Sequence, residues 1–336
     1  MSLLSRRSLL QTAAALFLAS SAFSQATDVM RERVTSVMGT SLELRVIGED
    51  PQLLEEVLDE ALKEIQRVED VMTDWRPSPL ENLNNAAGKG PQVVSIEVFD
   101  LIERSLKISE LTGGAFDVTY AGAGRLWDFK SDPPRIPSEQ AIADALKNVG
   151  WCRLALDAEK HTIDLPANMR IGLGGIAKGY GVDRAMKVLL DRGIKHGMVN
   201  AGGDLKALGT KFGKPWEIAI RHPRDRNRVL ALLPVSNTCV VTSGDYERFI
   251  EVDGKRYHHI IDPRTGSSST GCMSATVSAP VALLADSLAT ALCVLSPEEG
   301  LKLIETLPRV EAVVIGLDGK VRYSSGLAGA NPASKE

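Results

Sequence analysis

Cysteine is sparse in this chain and never closely spaced. Four occur in 336 residues, at 152, 239, 272 and 293, with no CxxC among them. That excludes the usual soft-metal spacings and leaves no disulfide framework to expect. Cys239 and Cys293 sit inside apolar runs, where a buried free thiol is the common state. A basic excess is missing as well. Lys and Arg total 39 against 43 Asp and Glu, for a net charge of −4, and no basic patch or aromatic-rich basic run occurs. Nucleic acid is therefore not an expected partner. Internal repeats and low-complexity tracts are absent beyond the N-terminal segment. What remains, 44% hydrophobic and 24% charged residues, is ordinary for a globular protein and enough to bury a large core.

The N-terminus has an apolar run, Leu9 to Phe23, preceded by Arg6-Arg7 and followed by small residues. It is short for a membrane span, and its flanks suit a secretion signal cut after Ala22-Phe23-Ser24 or Ser24-Gln25-Ala26. Residues 1–26 are thus expected to be a signal peptide, leaving 27–336 as one domain with two lobes. Ser5-Arg6-Arg7 followed by Leu9-Leu10 resembles a twin-arginine signal. No cysteine precedes Cys152, so no lipoprotein anchor stands at the cleavage site. The expected location is exported, periplasmic and soluble.

Ser41–Ile47 alternates as a half-buried strand, with Leu42, Leu44 and Val46 on one face. Asp50-Pro51 then supplies the cap and first position of a helix carrying Leu54, Val57, Leu58, Ala61, Leu62, Ile65 and Val68. A loop is expected over Asp74–Gly90, and a helix over Ile96–Leu111 stopped by Gly113-Gly114. Another loop, Asp128–Pro137, leads to a short helix near Gln140–Lys147 and strands near Arg153–Leu156 and Thr162–Leu165. A helix runs from the glycine-rich Gly172–Gly181 to about Leu190. Strands follow at Gly197–Asn200, Trp216–Ile220, Val229–Pro234, Cys239–Thr242 and Phe249–Val252. Two helices, Val281–Leu295 and Glu298–Leu307, precede a hairpin of Ala312–Ile315 with Val321–Tyr323. Strands and helices mix without a βαβ rhythm, which indicates an α+β fold of mixed sheets and packed helices.

Several stretches can carry chemistry. Tyr257–Gly266, YHHIIDPRTG, puts two histidines, a carboxylate and a guanidinium beside a tight turn, with Ile260 and Ile261 ending a buried strand. Gly172–Gly181 opens a helix whose free amides would favour phosphate, with Lys178 as a point charge, and a glycine-rich helix–strand packing site accounts for the same residues about as well. It has neither Walker nor Rossmann spacing. Asp286 and Thr290 are four apart in an apolar helix and share a face, so they could hold a hard cation such as Mg²⁺. Asp286 could equally pair with an arginine. Asn200–Asp204, a strand ending in a turn, could line a site or merely turn the chain, the turn being favoured. Met38-Gly39-Thr40 and Gly113–Asp117 are smaller candidates, with Asp117 readable as a turn carboxylate.

In this order, MGT (38–40), TDWRPSPLENLN (73–84), GGAFDVT (113–119), GGIAKGYGVD (174–183), VNAGGD (199–204), VTSGDYERF (241–249), HIIDPRTG (259–266) and ADSLATAL (285–292) resemble the ApbE family over nearly all of the mature chain. The resemblance implies an ApbE, T-fold-like architecture and Mg²⁺-dependent transfer of FMN from FAD to a threonine hydroxyl of an acceptor protein, releasing AMP. By the same resemblance, Asp286, Thr290 and the Ala177 carbonyl are the metal ligands. Met38, Asp74, Trp75, Arg76, Asp117, Tyr180, His259 and Ile261 line the flavin nucleotide, and Lys178 is expected beside its phosphates. His259 is the expected base, with an ordinary pKa near 6.5 suiting it to neutral pH. Acceptors of the family carry a threonine motif and often belong to membrane redox complexes. One departure stands out: Gly172 occupies a position that is usually acidic in the family. A metal-dependent FAD pyrophosphatase and an exported FAD-binding protein without turnover are the alternative readings.

Overall fold

Two nine-residue strands, β1 (Val29–Val37) and β2 (Thr40–Gly48), open the chain as an antiparallel hairpin. Met38 and Gly39 form its two-residue turn, both at positive φ (52° and 69°), the twist that such a hairpin requires. Asp50 then caps α1 (Pro51–Met72), accepting from the amides of Gln52 and Leu53 at 2.9 and 3.2 Å, with Pro51 in the first turn. Leu54, Val57, Leu58, Ala61, Ile65 and Val68 form its buried stripe, and Leu62 is partly buried beside it.

The structure is a computed structural model that describes residues 27–129 and 133–327; the expected leader, residues 1–26, lies outside the described residues. The stretch Asp74–Gly90 is not all loop. Ser78 accepts from the Glu81 amide at 2.9 Å and starts α2 (Pro79–Asn85), a cap signal hidden among prolines and asparagines. Next come β3 (Gln92–Val93) and α3 (Ile96–Leu111), the latter within its expected bounds. The short α4 (Ala121–Gly124) and α5 (Glu139–Leu146) lead to β4 (Ala155–Asp157) and β5 (Thr162–Asp164), which form a small sheet with β3. Then follow α6 (Ala177–Asp191), β6 (His196–Ala201), β7 (Asp204–Leu208), β8 (Trp216–His222), β9 (Asp225–Val235) and β10 (Thr238–Gly244). After β11 (Phe249–Val252) and β12 (Lys255–His258) come β13 (Ser274–Ala279), α7 (Ala282–Val294), α8 (Pro297–Ile304), β14 (Glu311–Ile315) and β15 (Val321–Tyr323).

Eight strands form the main sheet in the order β1-β2-β6-β7-β10-β13-β14-β15, antiparallel throughout. Helices α1, α6 and α7 belong to the larger core, which includes Leu42, Leu44, Val46, Val241, Val277 and Val314 of the sheet. Ile47, Met198, Leu205 and Val240 join a smaller cluster with Trp216 and Val235 of the β8–β9 hairpin. The sheet therefore has a hydrophobic layer on both sides, which is why several of its strands lack clean polar alternation. Helix α7 is buried almost all round. All four cysteines are free, with Cys272 and Cys293 Sγ 3.8 Å apart in the core.

Candidate functional site

The start of α6 meets the middle of α7. Gly179 is inside α6, where glycine costs about 1 kcal/mol relative to alanine, so its presence needs a reason. A β-carbon there would strike the Ala282 carbonyl and come within 2.8 Å of Asp286 Cβ. The absent side chain lets the two helices touch backbone to side chain. In that contact the Gly179 amide donates to Asp286 Oδ2 at 2.9 Å. Asp286 itself is 1% exposed, and a carboxyl group buried to that degree calls for such partners. One turn further along α7, Thr290 Oγ1 faces the backbone of Gly175, where a β-carbon would lie 3.2 Å from it and from the Phe116 ring. Asp286 and Thr290 thus point together at the glycine-rich entry to α6, next to Ala177.

Lys178 closes the cluster. Its ammonium lies 2.5 Å from Asp204 Oδ2 and 3.4 Å from Asp286 Oδ1. Burial works against this charge, yet Asp204 and then Asp286 outweigh it and hold the amine protonated above the ordinary lysine range. Asp204 ends the glycine turn between β6 and β7, in which Gly202 and Gly203 both take positive φ. The turn expected at Asn200–Asp204 is there, but its last residue also enters the site. No short-range pattern announced this, because Asp204 is explained only by a lysine 26 residues earlier.

Among the described residues no three His, Cys, Asp or Glu side chains gather as a metal cluster. Asp286 and the Thr290 hydroxyl are the oxygens that meet the glycine-rich segment, which includes Ala177, and Asp204 Oδ1 is buried without a donor on the far side of Lys178. Such a donor set fits a hard cation that also takes water or phosphate oxygens.

His259 follows β12 directly. The expected strand through Ile261 stops instead at His258, because the chain bends at His259 to enter the turn; Ile261 retains one isolated bridge, to Ser268. Ile260 and Ile261 are nonetheless buried. The His259 amide donates to the Arg248 carbonyl at 3.0 Å, and Arg248 in turn donates to the Gly39 carbonyl at 3.0 Å. These bonds tie His259 to the Met38-Gly39 turn, whose Met38 side chain lies against Gly181 of α6. His259 Nδ1 is buried without a partner. Burial, then the neighbouring His258, Arg248 and Lys178 charges, push its pKa down to about 4. The ring is therefore neutral at pH 7 rather than poised near 6.5. His258 is held apart from it, with Nε2 2.9 Å from the Ser269 carbonyl oxygen. Arg264 braces the turn, paired with Asp262 at 2.9 Å through two nitrogens and donating to the Val294 carbonyl at the end of α7.

The remaining candidates are dispersed around this centre. Asp117 is buried and fully used by the Thr119 amide, the Thr119 hydroxyl and the Trp151 amide, at 2.7, 2.7 and 3.0 Å. Asp74 lies 3.5 Å from Arg125, whose guanidinium also covers the exposed Trp75 ring, while Arg76 pairs with Asp70. Tyr180 leaves α6 about 200° round from Lys178. Its hydroxyl donates to Glu97 at 2.7 Å in a separate groove of about 840 Å³ lined also by Arg67, Arg184 and Lys206. Gly172 is packed, since a β-carbon would meet Ala121 at 2.9 Å and the Tyr120 ring at 3.4 Å. Any side chain at this position would first meet Ala121 and then the Tyr120 ring. Tyr120, Phe116 and Arg248 carry no individual role in the sequence reading, and Asp204 enters it only within a turn that could line a site.

Known proteins resemble the chain along most of its length. The family model described as "ApbE family" matches residues 38–314. A FAD:protein FMN transferase of Treponema pallidum is 36% identical over 314 residues, covering 88% of this chain and 87% of that protein. One from Escherichia coli K12 is 32% identical, covering 80% and 79%. Among solved structures, the ApbE protein of Thermotoga maritima superposes with a TM-score of 0.82 at 32% identity, covering 89% of this chain and 98% of that one. The flavin transferase ApbE of Vibrio cholerae gives 0.79 at 29%, covering 90% and 99%.

Proposed function

The chain belongs to the ApbE family, and on that premise we propose that it is a FAD:protein FMN transferase whose acceptor atom is a threonine hydroxyl and whose leaving group is AMP. The observation that carries this reading is the meeting of Asp286 and Thr290 with the glycine-rich start of α6 and the Lys178 ammonium. A fixed cation and hard oxygen donors beside a helix start suit a pyrophosphate. In the reaction the threonine oxygen bonds to the FMN phosphorus, the bond from that phosphorus to the bridging oxygen breaks, and AMP leaves with the bridge. The hydroxyl proton goes to His259 Nδ1, the buried nitrogen that has no other partner. A magnesium ion, which Asp286, Thr290 and the Ala177 carbonyl would hold, supplies charge neutralisation at the pyrophosphate when bound. Met38 and the Asp74–Trp75 segment with Arg125 offer the flavin and its chain apolar and stacking surface.

Purified residues 27–336 with FAD, Mg²⁺ and a threonine-motif acceptor should add an FMN-sized mass to the acceptor and release equal AMP, both stopped by chelator. AMP with free FMN and an unlabelled acceptor would indicate a pyrophosphatase. Bound FAD without AMP would indicate a flavin carrier.

The depressed pKa of His259 gives a sign to the pH dependence. A base whose pKa is lowered stays deprotonated as pH falls, so the transfer rate should hold from pH 8 to about 5 and drop only toward 4. A break near 6.5 in single-turnover rates would contradict the buried state of the ring.

Export to the periplasm, and an acceptor in a membrane redox complex facing that compartment, complete the proposal. Replacing Arg6-Arg7 by Lys-Lys should leave precursor inside the cell if the route is twin-arginine; fractionation with normal export would exclude that route.

A further inference from the structure

Asp204 is 1% exposed and its Oδ1 receives no donor; burial and then the neighbouring Asp286 carboxylate push its pKa well above the ordinary carboxylate range, and the Lys178 ammonium is what opposes them. A buried carboxylate left half-satisfied is costly. Its other oxygen takes the Lys178 ammonium at 2.5 Å, whereas the same ammonium stands 3.4 Å from Asp286 Oδ1. The lysine therefore leans away from Asp286, although both carboxylates are within its reach. Asp286 already spends Oδ2 on the Gly179 amide, so Oδ1 is the oxygen left for a cation. An ammonium closing onto Oδ1 would neutralise it.

From this asymmetry we propose that Asp204 is a positioning residue that draws the Lys178 ammonium off Asp286 and so keeps that carboxylate open to a divalent cation. The proposal rests on reading Asp286 as a cation ligand. It predicts effects of opposite sign for the two partners. Without the Asp204 charge, the ammonium settles on Asp286 and cation binding weakens. Without the ammonium, two carboxylates face one place with no resident positive charge, and binding tightens. An Asp204 that only stabilises the turn has no reason to produce the first effect in a folded variant, whereas removing the ammonium beside Asp286 favours a cation in either case.

The test uses Mn²⁺ alone, titrated into the mature chain without FAD and followed by the electron paramagnetic resonance signal of the free ion. Asp204→Asn should lower Mn²⁺ affinity about tenfold and Lys178→Met should raise it about tenfold, from the size of a one-charge change at this range. The double variant should return to within about threefold of wild type, since the ammonium no longer needs parking. Circular dichroism melts check that each variant folds, and if Asp204→Asn does not, Asp204→Ser takes its place. Unchanged or weaker binding in Lys178→Met overturns the proposal, as does unchanged binding in a folded Asp204→Asn. Asp286→Ala separates the two levels: Mn²⁺ that never binds the wild type, or that binds equally well to Asp286→Ala, overturns the cation reading and this proposal with it. Binding lost in Asp286→Ala but indifferent to Asp204 and Lys178 overturns this proposal alone.

Discussion

Asp286→Asn should slow FMN transfer about a thousandfold, roughly 4 kcal/mol of barrier, while leaving the protein folded. The amide keeps the shape of the carboxylate and can still accept from the Gly179 amide, so the α6–α7 contact has no steric reason to open. What disappears is the charge on an oxygen that faces Lys178 and the glycine-rich segment. A cation at a pyrophosphate acts in a site with little water, where one charge is worth far more than on a surface. Intact-mass kinetics on the acceptor measure the loss, and a thermal melt close to wild type shows that it is local. A loss below tenfold would mean that the carboxylate stands away from the reacting charges.

Gly179→Ala is the second large effect, and its sign opposes the simplest expectation. In a helix interior, alanine for glycine stabilises by about 1 kcal/mol through propensity alone. Here the new methyl group would run into the Ala282 carbonyl, with the carbonyl carbon at 2.7 Å and Asp286 Cβ at 2.8 Å. Backbone atoms cannot rotate aside, so the helices must part. Overpacking of this kind costs on the order of 3 kcal/mol, and the parting also lengthens the Gly179–Asp286 hydrogen bond. Denaturant unfolding should show a net loss, with transfer falling further than stability alone explains. A stabilised variant would show that α6 and α7 have room to spare.

Local signals carried much of the fold. Asp50-Pro51 and the stripe from Leu54 to Val68 specify α1 without help from the rest of the chain, and Ser95 with Gly113-Gly114 brackets α3. The elements that escaped reading lacked such signals. β1 carries Arg31, Glu32 and Arg33 on an edge strand, whose pairs with Glu55 and Asp59 of α1 make those charges comfortable. β13, Ser274–Ala279, is buried on nearly every residue and so shows no alternation. At the site, Asp286 and Thr290 are visible as one helix face, and the glycine-rich segment as a ligand-facing turn. Asp204 is visible only as the end of a turn that could line a site, because its pairing with Lys178 depends on the fold bringing the two together. The pKa of His259 was misjudged for the same reason: its value depends on what covers the ring, and sequence spacing does not report burial.

The bond between the Gly179 amide and Asp286 spans 107 residues of chain. At a synthesis rate of about 10 residues per second, α6 leaves the ribosome roughly ten seconds before its counterpart. During that interval the glycine-rich turn has no acid from α7, and the Lys178 ammonium has at most one of its two partners. Ligand competence is therefore among the last properties the nascent polypeptide acquires, and a truncated product ending before α7 lacks it altogether.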